Sequence, residues 1–382
     1  MLPRINTLPK DIIPLSPPYL TVEEERVLGR VLRSGILGLG PYIELFEKAV
    51  ARFVGTKFAV ATSSGTAGLH LSLIASGIKA GDEVITSPFS FVASANVILY
   101  VGAKPVFVDI DPMTLNIDPN KIEAAITNKT RVILPVHIFG YPIDYDKILA
   151  IAKKNQLKIV EDACESLGAK YKDKMVGNFG NLSVFAFYAN KQITTGEGGL
   201  IVTDNREEYL LLKSLVNQGR GLGDQWLAHQ RLGFNYRMDE MSAALGYVQM
   251  KKIGIFLESR RKAAFTYQKY LSKIDGVKTL PDTYGKGQRS WQTFIILLDE
   301  KIDRDRVMTI LNSRKIQSRP YLPVIHLQSY WRKAFGTKPG MFPVAESISR
   351  SSLALPLFTE IPGGMIKQVC FELERAIKLA RK

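Results

Sequence analysis

Five short apolar runs recur through the first two thirds of the chain: FAVAT (58–62), EVITS (83–87), PVFVD (105–109), RVILPVH (131–137) and LKIVED (157–162). Each is rich in β-branched residues and has little polar alternation, the signature of a strand buried on both faces. Between them lie segments of helical length and spacing, among them TAGLHLSLIASG (66–77) and DYDKILAIAKKN (144–155). Repeated strand and helix units predict an α/β fold with a mostly parallel sheet sandwiched by helices. SVFAFY (183–188) and GLIVTD (199–204) are separated by only ten residues, too few for a crossover helix. They are expected to pair antiparallel or to lie on a sheet edge.

The rhythm changes near residue 239. MDEMSAALGYVQMKK opens a long helical stretch that is expected to run to about 273, followed by a strand at QTFIILLD (292–299), a helix at RDRVMTILNSR (304–314) and a terminal helix from about 364. A length of 382 residues suits two domains at roughly 100–200 residues each. The pattern places a large α/β domain at 1–250 and a smaller C-terminal α+β domain at 251–382.

Composition narrows the class. With 46% hydrophobic and 23% charged residues the chain reads as an ordinary globular protein, which excludes disordered and collagen-like readings. Two cysteines, Cys164 and Cys370, exclude a disulfide scaffold and a cluster held by four thiolates, so a reducing, cytoplasmic setting and no metal site are expected. No uncharged apolar run approaches the roughly 18 residues of a membrane span, and no membrane partner is expected. The net charge of +15 would attract an anion. Its basic residues are spread out, concentrating only near 251–262 and at the C-terminal KLARK, without zinc-finger or RNA-binding spacing. A solvated basic surface, and no nucleic acid, is the expectation.

Three segments place polar groups at or near the ends of strands, where ligands bind in open α/β sheets. Ser63-Ser64-Gly65-Thr66-Ala67 joins a strand to a helix, and a helix N-terminus with hydroxyls alongside suits an anion. The same residues would serve any helix as an N-cap. Asp162 closes LKIVED, where a carboxylate needs a cationic partner, or else caps the helix that follows. Lys191 follows VFAFYAN and precedes the glycine turn TTGEGG, a setting that can desolvate its amine and suit it to attack an aldehyde. Anion cradle, acid and lysine are the three contacts that pyridoxal 5′-phosphate (PLP) requires.

The order of these segments resembles the sugar aminotransferases of the DegT/DnrJ type, within the type I, aspartate-aminotransferase fold of PLP enzymes. The resemblance covers almost the whole chain: SGILGLGPYIELFE (34–47), SSGTAGLHLSL (63–73), EDACESLGA (161–169), FAFYANKQITTGEGG (185–199), LGFNYRMDEMSAALG (232–246) and RPYLPVIHLQSYW (319–331). It implies that Lys191 is the Schiff-base lysine and later moves the proton, and that Asp162 keeps the pyridine nitrogen protonated. It implies that Phe91 stacks on the ring, that Gly65, Thr66 and Ala67 cup the phosphate, and that Glu165 lies beside the phenolic oxygen. Asn235 would reach the phosphate of a neighbouring subunit, which implies a homodimer with shared active sites.

One departure stands out. Many relatives carry Ser five residues before the lysine, where this chain has Ala186, leaving Ser183 or a water as the substitute. Arg220 and Arg319 are candidates for contacting an acidic substrate, and Tyr321 and His326 lie in a segment that closes over the site in relatives. The resemblance implies a nucleoside-diphosphate keto-sugar as substrate and L-glutamate as amino donor. The TGEGG turn is more like the enzymes that aminate C4. Amination of a cyclitol or other ketone is the alternative. A sugar dehydratase, with His in place of the lysine, and a regulatory protein are opposed by Lys191 and by the complete cofactor set.

Overall fold

A computed structural model describes residues 3–8, 11–221 and 228–381. Its centre is a seven-stranded sheet built from β1 (Phe58–Thr62), β2 (Glu83–Thr86), β3 (Lys104–Phe107), β4 (Thr130–Ile133), β5 (Lys158–Asp162), β8 (Leu182–Ala186) and β9 (Gly199–Thr203), in the order β1-β9-β8-β5-β4-β2-β3. All five predicted runs are strands of this sheet. β2 pairs in parallel with β3 and β4, β4 with β5, and β5 with β8. β9 runs antiparallel to β8, the first of the two arrangements expected from the short spacing, and also antiparallel to β1.

Two apolar clusters cover the two faces. Val60, Val84, Val132, Val160, Val184 and Ile201 face one; Ala61, Ile85, Ile133, Ile159, Phe185 and Val202 face the other. The period-2 alternation of each strand thus divides between two covering layers. The segment 66–77 forms a helix over Gly65–Ala75, capped by Ser64, whose Oγ accepts the N–H of Ala67. The segment 144–155 forms a helix over Tyr145–Lys154 with Asp144 as its cap.

A third cluster gathers Tyr267, Trp291, Phe294, Leu311 and Leu373 around a three-stranded antiparallel sheet of β10 (Val277–Thr279), β13 (Phe294–Leu298) and β14 (Ser352–Leu355). Ile13 belongs to this cluster and pairs with Ile316, so the N-terminal segment crosses to the C-terminal core. A small sheet of β6 (Lys170–Tyr171), β7 (Lys174–Met175), β11 (Thr283–Tyr284) and β12 (Gly287–Gln288) bridges the two parts of the chain.

The expected single helix of 239–273 is two helices, Glu240–Met250 and Ile253–Leu271. The break falls at Lys252, whose ammonium turns inward to Glu24 and, at 3.0 Å, to Thr21 Oγ1. Those two residues form the capping box of the helix Val22–Ser34, an N-terminal element that apolar periodicity alone does not reveal. Among the described residues no helix is long and apolar enough to cross a membrane.

Candidate active site

A cavity of about 470 Å³ opens where β5 and β8 end and the helix Gly65–Ala75 begins. Of the residues singled out from sequence, Gly65, Thr66, Phe91, Asp162, Glu165, Lys191 and Tyr321 line it, as does Ala186. Strand geometry explains the convergence. Asp162 is the last residue of β5 and Ala186 the last of β8, and the chain must leave the sheet at both points.

Lys191 reaches the cavity from a turn in which its own N–H donates to the Tyr188 carbonyl at 3.0 Å. Its Nζ lies 3.4 Å from Glu165 Oε1, and Glu165 Oε2 accepts the N–H of Phe139 at 2.9 Å. Asp162 is buried, and both of its oxygens are held. Oδ2 accepts from Ser94 Oγ at 2.6 Å, Oδ1 from the Cys164 N–H at 3.1 Å, and Ser90 Oγ supports Ser94 at 2.7 Å. A short bond to a carboxylate of this kind contributes roughly 1.5–3 kcal/mol. Phe91 presents 64% of its surface beside the cavity, unusual for a large aromatic. Burial, reinforced by the charge of Glu165, pushes the Tyr321 hydroxyl up to about 12, so it is a neutral donor at ordinary pH.

Close backbone approach shapes the floor. A Cβ at Gly65 would fall 2.8 Å from both Ala186 Cβ and Cys164 Sγ, and one at Gly199 would fall 2.3 Å from the Ser64 carbonyl oxygen. Glycine at both positions lets the helix start pack directly on the ends of β8 and β9. At such a start the first N–H groups have no partner within the helix.

Other expected residues lie elsewhere. The Ala67 N–H is taken by Ser64. Ser183 does not line the cavity as a substitute for the missing serine. It stands three residues from Ala186 on the same strand, an odd offset that puts it on the opposite face with Phe185. His326 is fully buried, its Nε2 3.1 Å from Glu346 Oε1, and does not reach the cavity. Arg220 hydrogen-bonds Gln218 and Arg319 the Ser318 carbonyl, both outside it. Asn235 is exposed, in a bridge with Asn217.

The cavity also contains residues that sequence reasoning passed over: Ser90, Cys164, Tyr188, Asn190 and Glu197 line it, while Ser94 touches it through Asp162. Ser94 had a signal. It stands three residues after Phe91 in SPFSFVASAN, one helical turn on. Burial and the charge of Asp162 hold the Cys164 thiol well above its usual range, so it remains protonated.

Amine, carboxylate, exposed aromatic and helix N-terminus in one cavity of this size form the donor set that PLP fits. The comparisons agree. Residues 18–374 match the model of the DegT/DnrJ/EryC1/StrS aminotransferase family. The chain is 36% identical over 379 residues to the spore coat polysaccharide biosynthesis protein SpsC of Bacillus subtilis (strain 168), covering 96% of this chain and 97% of that protein. It is 34% identical over 360 residues to GDP-perosamine synthase of Escherichia coli O157:H7, covering 94% and 96%. Its fold matches the PLP form of Spr1654 from Streptococcus pneumoniae, assigned as a sugar aminotransferase, with a TM-score of 0.92, 26% identity and coverage of 96% and 99%. The chain therefore belongs to the DegT/DnrJ/EryC1/StrS family of aminotransferases, and it is a PLP-dependent sugar aminotransferase.

Proposed function

We propose that the enzyme transfers an amino group from L-glutamate to C4 of a nucleoside-diphosphate keto-sugar, acting in the cytoplasm as a homodimer. The observation that carries this reading is the convergence of Lys191, Asp162 and the Gly65-Thr66 helix start on one cavity. GDP-perosamine synthase, by its name, makes a nucleotide-linked amino sugar, which supports the substrate class. The net charge of +15 supports an anionic substrate with an anionic donor.

PLP supplies an aldehyde to capture nitrogen and a ring that accepts electron density from the substrate carbon. The residues divide the remaining work. Lys191 Nζ would hold the cofactor, and the same amine would take and return the proton at the substrate carbon that bears the nitrogen. Asp162, oriented by Ser94 and the Cys164 N–H, would hold the proton of the ring nitrogen. Phe91, which lines the cavity, would pack against the ring. Gly65 and Thr66, at the helix N-terminus, would hold the phosphate, and Asn235 of the other subunit would add a contact where Ala186 supplies no hydroxyl. Glu165 lies beside the amine, and Tyr321 lines the same cavity.

Incubating the purified enzyme with PLP, L-glutamate and a panel of 4-keto and 3-keto nucleotide sugars tests the reading. A product heavier by the exchange of oxygen for NH₂ plus H, appearing with the 4-keto substrates and accompanied by 2-oxoglutarate, is expected. Amination confined to 3-keto-sugars would reject the C4 assignment, and amination of a cyclitol ketone alone would reject the nucleotide-sugar reading.

A further inference from the structure

Arg260 stands within the helix Ile253–Leu271, in the stretch whose basic residues read from sequence as solvated, yet only 2% of it is exposed. Among the described residues no carboxylate pairs with it. Its fork rests on neutral oxygens. Nη1 donates to the Gln292 carbonyl at 3.0 Å and lies 3.4 Å from those of Trp291 and Leu357. Nη2 lies 3.4 Å from Ser16 Oγ and 3.5 Å from the carbonyl oxygen of Lys191.

These acceptors come from four separate stretches of chain. The same turn is held from outside by further contacts. Ser16 Oγ and Gln292 Nε2 both donate to the Asn190 carbonyl, at 3.2 and 3.4 Å, and Gln192 Nε2 donates to the Glu165 carbonyl and to Ser290 Oγ, at 2.9 and 3.0 Å. Burial lowers the guanidinium to about 10, so it stays charged at neutral pH. An apolar side chain of similar volume would fill the position at a smaller desolvation penalty. What it could not do is tie four stretches of chain together, through backbone carbonyls and the Ser16 hydroxyl, by one rigid, planar fork.

We infer that Arg260 is a positioning residue for Lys191. Through the Lys191 carbonyl and the Ser16–Asn190 contact it holds the lysine turn against residues 290–292, and so sets where Nζ enters the cavity. The inference rests on Lys191 being the reacting amine.

Arg260→Lys and Arg260→Gln, made in the full chain and loaded with PLP, test it. At saturating L-glutamate the rate of the first half-reaction, followed by the cofactor's absorbance, is expected to fall at least about tenfold, while the half-saturating concentration changes less than roughly threefold. Amide hydrogen exchange in the peptide spanning 188–195 is expected to quicken while the strands of the large sheet keep their protection. Arg260→Lys, which keeps charge without the fork, is expected to recover only part of both readouts. A rate within twofold of wild type in both variants overturns the inference. So does exchange that rises no more at 188–195 than elsewhere. Should the Arg260 variants fail to fold, Ser16→Ala carries the test: quicker exchange at 188–195 supports the inference and unchanged exchange overturns it. The exchange readout needs no substrate. Activity remaining in Lys191→Ala would instead mark failure of the underlying assignment.

Discussion

Lys191 Nζ lies 3.4 Å from Glu165 Oε1, and the other oxygen of that carboxylate is pinned by the N–H of Phe139. The amine is thus held at the cavity wall by a group that the fold itself orients. On the proposed roles, Lys191→Ala removes the bond to the cofactor and the group that moves the proton, but leaves Asp162 and the helix N-terminus intact. General acid–base contributions alone are about 10²- to 10⁴-fold. Turnover is expected to vanish while circular dichroism and PLP binding through the phosphate persist. More than about a tenth of wild-type activity would show that another group reacts.

Asp162→Asn keeps the shape of the side chain and removes its charge. The protonated ring nitrogen then has no anion to stabilise it. A rate at least about a hundredfold lower is expected, the scale of losing one preorganised electrostatic contact. An unchanged rate would reduce Asp162 to a structural role.

Ser94→Ala tests whether that carboxylate is deliberately oriented. Its 2.6 Å bond to Oδ2 belongs to the class contributing roughly 1.5–3 kcal/mol, so PLP affinity is expected to fall about 10- to 100-fold in an absorbance titration. Affinity equal to wild type would mean that the Cys164 N–H suffices.

The shared-site reading makes a prediction that single variants do not. Lys191→Ala and Asn235→Ala subunits, each strongly impaired alone, are expected to regain activity on mixing. In a mixed dimer one site carries both lesions and the other neither, so activity should approach half that of wild type per mixed dimer. Demonstrated subunit exchange with no recovery would place the action of Asn235 within its own chain.

His326 supplies a pH dependence. Burial lowers its protonation midpoint below the ordinary 6.5, even though Glu346 favours the charged ring. Below pH 6.5 the unfolded chain therefore binds the proton more readily than the folded one, and stability present above that pH is lost as pH falls. Thermal midpoints measured from pH 7.5 to 5 are expected to decline less steeply in His326→Gln than in wild type. Parallel curves would show that His326 does not contribute to the slope.

The sheet and much of the site were legible because their information is local. Apolar runs bounded by turns mark buried strands, and Asp162, Lys191 and the Gly65-Thr66 turn each sit where the chain leaves a strand or starts a helix. The helix break at Lys252 was not legible, and the partners its side chain meets there, Thr21 and Glu24, lie more than 200 residues away in sequence.

What the amino-acid order determined by itself was the α/β class, the pairing of GLIVTD beside SVFAFY or its place at an edge, and the choice of Lys191, Asp162 and the Gly65-Thr66 turn, which the fold brings to one cavity. Tertiary structure decided which neighbours those groups have. Strand alternation turned Ser183 away from the cavity that Ala186 lines, and packing enclosed His326 with Glu346. It also drew Arg260 out of a basic stretch and onto the carbonyl of Lys191. Sequence spacing reports which face of a strand or helix a residue shares. Burial of a charge is settled by distant segments that supply its hydrogen-bond partners, and those meet only when the chain has folded.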